Sequence, residues 1–462
     1  MHRYRAPLDA AIHHAFAFLD GLDQRLVRAA ESHAALRERL SMPLADEGVT
    51  PEQVVEDLAR AADPGIIASA GGRFFGWVVG GALPSALAAD WLACAWDQNA
   101  ALCVTAPAAA IVEEIAGQWL KQILGLPAQA SFAFVNGCQM AHVTCLAAAR
   151  HALLDRAGVN VAERGMSGAP RIRIVSSDQR HGSFERAVRL LGFGSANVEY
   201  LASGADGKLP PDALEAALKR DSSPAIVLLQ AGEINTGIFD SFAELIPIAH
   251  SHGAWVHVDG AFGLWAAASP RYRHLLHGVS LADSWATDGH KWLNVPHDSG
   301  YAFVAHPEPH RASMSHRAAY LTHDAEVRDE MDWNPDWSRR ARGFSTYAAL
   351  RELGRSGVAA LVERCCEHAR ALTEGIGSLQ GAELLWMPVI NQGLVRFLDP
   401  GGVDHDRRTD EVIAAINASG EAYFSGTTWR GMRAMRISVC NWRTSAQDVE
   451  RTIDAARRAL AS

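Results

Sequence analysis

Apolar positions give this chain three successive textures. From residue 8 to about 40 they recur at helical spacing, at Leu8, Ile12, Phe16, Leu19, Leu22 and Leu26, which predicts helix. A second helix is expected to open at Thr50-Pro51-Glu52-Gln53. There Thr50 and Gln53 match a capping box, and proline takes the first helical position. Ala70-Gly71-Gly72-Arg73 and Gly80-Gly81 then mark a loop-rich connection. Residues 1–85 therefore read as a helical arm, not an independent domain.

Between about 107 and 305 the pattern alternates. Helices fit 107–124, 138–156, 184–191, 211–220 and 242–252. Strands fit 171–175, 198–201, 225–229, 255–258 and 284–287. Strand–helix alternation with short connections implies an α/β unit with a mostly parallel sheet covered by helices. Four polar residues fall just beyond predicted strands: His181, Asn235, Asp259 and Lys291. Open parallel sheets bind ligands at the carboxyl ends of their strands, so one periodic reading gathers these four at one edge. After residue 340 the texture changes again. A long helix fits 344–372, strands fit 383–387, 393–398 and 431–440, and helices fit 407–418 and 445–461. This predicts a smaller α+β unit, giving domains of 1–85, 86–340 and 341–462.

Composition narrows the function. A chain of 462 residues, 48% apolar, can bury a large core. Its net charge of −9 argues against nucleic acid as a partner. Seven cysteines without a Cys-x-x-Cys pair do not suggest a disulfide framework, and the twenty histidines show no metal-ligand spacing, so no metal is expected. The first residues lack the apolar core of a signal peptide. The apolar run 74–89 is broken by Pro84 and too short for a membrane span. A cytoplasmic protein that does not enter membranes is the expectation. The cluster Arg339-Arg340-Ala341-Arg342 suits either a solvated face or an anion contact.

The chemistry concentrates in His257-Val-Asp259-Gly-Ala261-Phe262 and in Ala282-Asp-Ser-Trp-Ala-Thr-Asp288-Gly-His290-Lys291-Trp-Leu-Asn294. An aspartate and a lysine at the ends of two apolar runs suit pyridoxal phosphate. The lysine amine holds the aldehyde as a Schiff base, and the carboxylate pairs with the pyridinium nitrogen so that the ring accepts electrons. Only four lysines occur, Lys121, Lys208, Lys219 and Lys291. The first three read as solvated surface groups, and Lys291 alone follows a buried-looking strand.

With Ser177-Asp-Gln-Arg-His181-Gly-Ser-Phe-Glu-Arg-Ala187, these motifs together resemble the group II pyridoxal-phosphate-dependent amino-acid decarboxylases. That family includes aromatic-amino-acid, glutamate and diaminobutyrate decarboxylases. The resemblance runs from about Phe74 to Arg443 and includes Cys440-Asn-Trp-Arg443. It implies the fold-type I transferase architecture with pyridoxal 5'-phosphate on Lys291. Asp259 would keep the ring nitrogen protonated. His181 would stack on the ring near the substrate carboxylate, and Ala261 would lie against the other face. Asp288 and His290 would lie near the phosphate, and Asn235 would contact cofactor or substrate. The helix opening at Asn136-Gly-Cys138-Gln139 would present backbone N–H groups to the phosphate. Many relatives carry small hydroxyl residues there, and this chain departs from them at Cys138 and Gln139. Tyr320 matches a mobile-loop tyrosine that returns a proton to the substrate carbanion.

The implied reaction takes an L-amino acid to its primary amine and carbon dioxide, in an intertwined homodimer. Phe75, Trp77, Asp97 and Asn99 are implied in the side-chain pocket, the last two open to contribution by a partner subunit. Phe75 and Trp77 suit an aromatic ring, while Asp97 and Asn99 suit a polar or cationic group, so the sequence leaves the amino acid open. The alternatives are an oxidative aldehyde-forming enzyme or an aminotransferase of the same fold. Intact Lys291, Asp259 and His181 argue against a silent scaffold.

Overall fold

A computed structural model describes residues 3–316 and 327–461. The N-terminal arm holds α1 (Arg5–Gly21), α2 (His33–Leu40) and α3 (Pro51–Ala62). The single helix expected up to residue 40 is thus two helices. Leu22 and Val27 are buried between them, and the Val27 N–H bonds to Gly420 O, a backbone partner that a continuous helix excludes. The capping box at α3 is half made. Thr50 Oγ1 accepts from Gln53 N at 3.3 Å, but the Gln53 side chain turns forward to Asp57. Next come α4 (Pro84–Trp96) and α5 (Pro107–Leu124), each opened by proline, and α5 is closed by left-handed Gly125.

β1 (Ser131–Val135) leads into α6 (Cys138–Arg156). Then follow α7 (Val161–Arg164), β2 (Arg173–Ser177), α8 (Gly182–Leu190), β3 (Val198–Leu201), α9 (Pro211–Arg220), β4 (Ala225–Gln230), α10 (Phe242–Ser251), β5 (Trp255–Asp259), β6 (Ser284–Asp288), β7 (Gly300–Val304) and α11 (Pro307–Met314). Among the described residues the large sheet has seven strands in the order β1-β7-β6-β5-β4-β2-β3. β2 to β6 are mutually parallel, and β7 runs antiparallel between β1 and β6. β1 and β7 are absent from the sequence reading. Every position in both is buried, so neither shows the polar alternation that separates a strand from a buried helix. The sheet has a core on each side. Val227, Leu229, Val256 and Val258 face one, while Ile226, Leu228 and Trp255 face the other, beneath α6 and α8.

The C-terminal part contains α12 (Gly343–Gly377), β8 (Ala382–Trp386), β9 (Gln392–Phe397), α13 (His405–Ser419), β10 (Ser425–Trp429), β11 (Met432–Ser438) and α14 (Ala446–Ala461). Its four strands form an antiparallel sheet in the order β10-β11-β9-β8. The one strand expected at 431–440 is the second half of a hairpin. Its turn, Arg430-Gly431, takes positive φ at both residues (50° and 76°), as a two-residue hairpin turn requires. α12 is kinked at Gly354, where φ is 60°.

Candidate active site

The carboxyl ends of β2, β4, β5 and β6 share one edge of the large sheet, and β1 enters α6 at the same edge. His181 follows β2 as the N-cap of α8, Asn235 follows β4, Asp259 closes β5 and Lys291 follows β6. Lys291 sits in a single π-turn, Gly289–Leu293. Such turns widen the helix and re-aim side chains at functional sites. Left-handed Asn294 (φ 56°) ends the turn, and its buried side chain locks it. Oδ1 accepts from Gly81 N (2.7 Å) and Trp442 N (3.0 Å). Nδ2 donates to Trp292 O and Cys440 O, both at 2.9 Å. Gly80 passes so close that a Cβ there would fall 1.9 Å from Lys291 O. The glycine pair therefore does more than turn the chain: it lets the arm's backbone press on the lysine turn.

Lys291 Nζ lies 2.9 Å from Asp288 Oδ2. Burial works against its ammonium, but Asp288, with Asp259 behind it, outweighs burial and raises the lysine above its ordinary value. Asp288 Oδ1 accepts the Cys138 N–H at the start of α6, and His290 Nε2 lies 3.7 Å from the same oxygen. A carboxylate thus takes the first free amide of α6. The Gln139 amide follows it among the N-terminal donors without an intrahelical partner. Gly137 keeps this corner open. His290 Cε1 would lie 3.3 Å from a Cβ at Gly137, and a Cβ at Gly300 of β7 would meet the Gly137 backbone at 2.5 Å.

Asp259 is buried, and its Oδ1 accepts from Ala261 N at 3.1 Å. Ala261 O in turn accepts from Asp288 N, so Ala261 lies between the two carboxylates. Asp259 Oδ2 lies 3.5 Å from His142 Nε2. Burial would raise the Asp259 carboxyl, but His142, His181 and Lys291 hold it well below the usual carboxylate range. The Cys138 thiol faces this end of the site, 3.5 Å from His142 Nε2 and 3.9 Å from Asp259 Oδ1. Cys138, His142 and Asp259 bring three metal-competent atoms within 4.8 Å of one another, a convergence that the histidine spacing did not signal.

His181 Nδ1 is engaged by Ser183, at 2.8 Å from Oγ and 3.3 Å from N, which leaves Nε2 to face the site. Burial, countered in part by Asp259, lowers its pKa, so the ring is mainly neutral near pH 7. Other expected residues lie elsewhere. Asn235 is engaged structurally: Nδ2 donates to Glu233 and Oδ1 accepts from Thr427, tying the loop after β4 to β10. Phe75 is fully buried against Phe424 in the core, because alternate residues of this extended segment face opposite ways. Phe74 stacks on Tyr423 at 4.9 Å instead, and Trp77, 53% exposed, stacks on both. Asp97 and Asn99 lie in a surface groove with Arg339 and Arg340, and Asn99 Oδ1 accepts the Arg339 N–H. Tyr320 lies outside the described residues.

One basic feature is corrected, and the arginine cluster resolves to the contact with anions. Lys121 is buried, not solvated: its Nζ donates to Ala128 O and Ala130 O beyond the end of its own helix. The arginine cluster meets the protein's own carboxylates, with Arg339 on Glu113, Arg340 on Asp90 and Arg342 on Asp298. Sequence reasoning also missed Arg436. It is buried, its Nη2 bonds Ser425 Oγ, and its Nε has no hydrogen-bond partner among the described residues. It lies within electrostatic reach of Glu233 and His181. Its signal was an arginine between two apolar residues of a strand, Met435-Arg436-Ile437.

Comparison with known proteins decides the family. The pyridoxal-dependent decarboxylase conserved domain matches residues 34–398. The chain belongs to the pyridoxal-dependent decarboxylase family. It is accordingly an enzyme, with pyridoxal phosphate as its cofactor. The chain is 28% identical to 4-hydroxyphenylacetaldehyde synthase of Rhodiola rosea over 337 residues, 70% of this chain and 67% of that protein. It is also 28% identical to tryptophan decarboxylase 1 of Oryza sativa subsp. japonica over 419 residues, 83% of this chain and 79% of that protein. The crystal structure of Oryza sativa TDC with PLP and tryptamine matches it with a TM-score of 0.92 at 24% identity, covering 99% and 97% of the two chains. This likeness is one of fold, and it bears out the fold-type I architecture. No described helix is long and apolar enough to cross a membrane.

Proposed function

We propose that this decarboxylase converts an L-amino acid, an aromatic one in the first instance, to its primary amine and carbon dioxide. The observation that carries the reading is the setting of Lys291. Its amine sits largely enclosed on a π-turn at a parallel-sheet edge, beside Asp288 and in the field of Asp259. The residues present fit the cofactor. Lys291 supplies the amine for its aldehyde carbon. Asp259, held ionised, suits the cationic ring nitrogen. Ala261 leaves one ring face clear, and Gln139 N–H and His290 are available at the phosphate end. Cys138 and Asp288 flank that end, the Cys138 amide already being bonded to Asp288.

When bound, pyridoxal phosphate supplies the sink for the electron pair left on Cα once carbon dioxide departs. The chain's residues do the rest. His181, with Nδ1 anchored, presents Nε2 toward the substrate carboxylate. Arg436 offers a buried cation with a free Nε for a carboxylate. The stack of Trp77, Phe74 and Tyr423 suits an aromatic side chain. Tyr320, carried from the family resemblance, returns a proton to Cα. Asp97 and Asn99 contribute from a second copy, which makes the working unit a homodimer.

A second reading has a specific support: aldehyde synthases stand among the relatives. Such an enzyme would consume oxygen and release aldehyde, ammonia, carbon dioxide and hydrogen peroxide. A panel of L-amino acids, with amine, aldehyde and oxygen measured together, separates the two. Amine equal to carbon dioxide without oxygen uptake is the expected result; aldehyde with peroxide would establish the second reading. Tyr320→Phe is expected to keep the cofactor's visible absorption, slow amine release and shift product toward aldehyde. Native rate and product in that variant would remove Tyr320 from the proton step.

A further inference from the structure

We propose that His142 is a positioning residue. It ends a one-way hydrogen-bond chain, Trp255 to Ser284 to His257 to His142, that aims an N–H at Asp259 and fixes that carboxylate toward the cofactor's ring nitrogen. The inference rests on the reading of Asp259 given above.

Alternation along β5 places Trp255, His257 and Asp259 on one face, beneath α6. His257 is paired across the sheet with Ser284 of β6, and His142 lies one turn into α6 from Cys138. The distances are short. Trp255 Nε1 to Ser284 Oγ is 2.9 Å, Ser284 Oγ to His257 Nδ1 is 2.9 Å, and His257 Nε2 to His142 Nδ1 is 2.8 Å. His142 Nε2 then faces Asp259 Oδ2 at 3.5 Å.

The two ends set the direction. An indole N–H only donates, and an ionised carboxylate only accepts. Ser284 accepts from Trp255, so its O–H is available to His257 Nδ1. His257 then carries its hydrogen on Nε2 and donates it to His142 Nδ1. His142 in turn carries its hydrogen on Nε2, toward Asp259. Each intermediate group uses one donor and one acceptor, and neither imidazole needs a charge. The opposite direction would turn an unprotonated His142 Nε2 toward the ionised Asp259, leaving it only the weak Cys138 S–H as donor and leaving Asp259 without an N–H from this ring. Burial agrees with a neutral His257, which it pushes down to about 3. The other titratable groups facing Asp259 are Cys138, His181 and Lys291. Burial lifts the Cys138 thiol well above its ordinary value, so it stays S–H. Phe184 of α8 lies across both imidazoles, stacked at 6.3 Å on His257 and edge-on at 5.9 Å to His142. It shields the chain and belongs to the same helix that His181 caps.

Nitrogen-15 NMR of histidine-labelled native enzyme, with and without pyridoxal phosphate, reads the tautomers directly. Both rings are expected as Nε2–H tautomers. A doubly protonated or Nδ1–H ring at position 142 would overturn the chain, whatever any variant does. Two substitutions then test the function. His142→Leu removes the donor, and His142→Gln restores an N–H at similar reach. The cofactor dissociation constant is expected to rise about tenfold in the leucine variant and to recover to within about threefold in the glutamine variant. Their kcat values should follow the same order at an unchanged KM. Native binding by the leucine variant, or equal loss in both, would refute the positioning role. Asp259→Asn separates this from the reading beneath it. If Asp259 does not serve the ring nitrogen, Asp259→Asn binds the cofactor normally. If only the chain is wrong, Asp259→Asn loses the cofactor while His142→Leu does not.

Discussion

Lys121 is buried and Lys291 largely enclosed, yet their chemistry differs with the sheet edge they occupy. Lys121 Nζ is held by carbonyls just before β1, at the amino edge, whereas Lys291 meets carboxylates at the carboxyl edge. Borohydride treatment of the enzyme should therefore fix the cofactor on the Lys291 peptide, read by mass spectrometry, and Lys291→Ala should abolish turnover. Label on Lys121 would contradict the assignment. A second residue-scale feature predicts pH dependence. Asp283 is bracketed by His250 (3.0 Å) and His306 (3.1 Å) and also accepts the Val256 N–H. These bonds raise both imidazoles above their ordinary value. Asp283 is held low despite its burial, because the two histidines and Val256 N–H outweigh it. Histidines raised on folding stabilise fully below their unfolded value of about 6.5 and lose that contribution as pH climbs through the folded values. The lowered Asp283 acts in the other sense: its contribution is full above about 4 and is lost as pH falls through its folded value. Glu308 and Arg156 also face His306, the first raising it and the second lowering it. The Tm difference between native enzyme and Asp283→Asn should be largest in that acidic window and shrink above neutrality. A difference independent of pH would mean that only the Val256 bond matters.

At the scale of elements, helix ends carry local marks that fully buried strands lack. Pro51, Pro84, Pro107 and Pro211 each open a helix, and Gly125 and Gly420 each close one in left-handed conformation. Strands that are buried on both faces carry no such marks, so β1 and β7 were not legible. How elements are pinned together was not legible either. The side chains of Glu113 on α5 and Arg339, just before α12, are wholly buried and form a bidentate pair at 2.9 Å, and a Cβ at Gly343 would meet Glu113 at 3.0 Å. Removing one partner of such a pair leaves an uncompensated buried charge and costs about 3–5 kcal/mol. Arg339→Met should lower stability to urea by that amount. Glu113→Gln combined with Arg339→Met should recover part of it, because the double variant leaves no lone charge.

Across the whole molecule, the arm exposes apolar surface that nothing in one chain covers. Leu8, Phe16, Val54 and Leu58 on α1 and α3 are each at least half exposed. This supports the proposed homodimer, in which Asp97 and Asn99 reach the second site. Sedimentation should show a dimer, and deletion of residues 1–60 should yield monomers that lose activity. Full activity in a monomer would show that one chain completes its own site.

The sequence by itself determined the architecture and the residues at the strand ends. Periodicity and turn chemistry act over a few residues, so they fixed where β2, β4, β5 and β6 stop and hence put His181, Asp259 and Lys291 on one edge. What surrounds them came only from tertiary packing. His142 and His257 are 115 residues apart, Asn294 joins Gly81 to Trp442, and Arg436 of the C-terminal sheet lies within electrostatic reach of His181. Nothing local marks which partners these residues meet. Each looks like a polar side chain in an apolar run, a placement that burial penalises until a distant partner satisfies it, and only the assembled fold brings that partner within bonding distance.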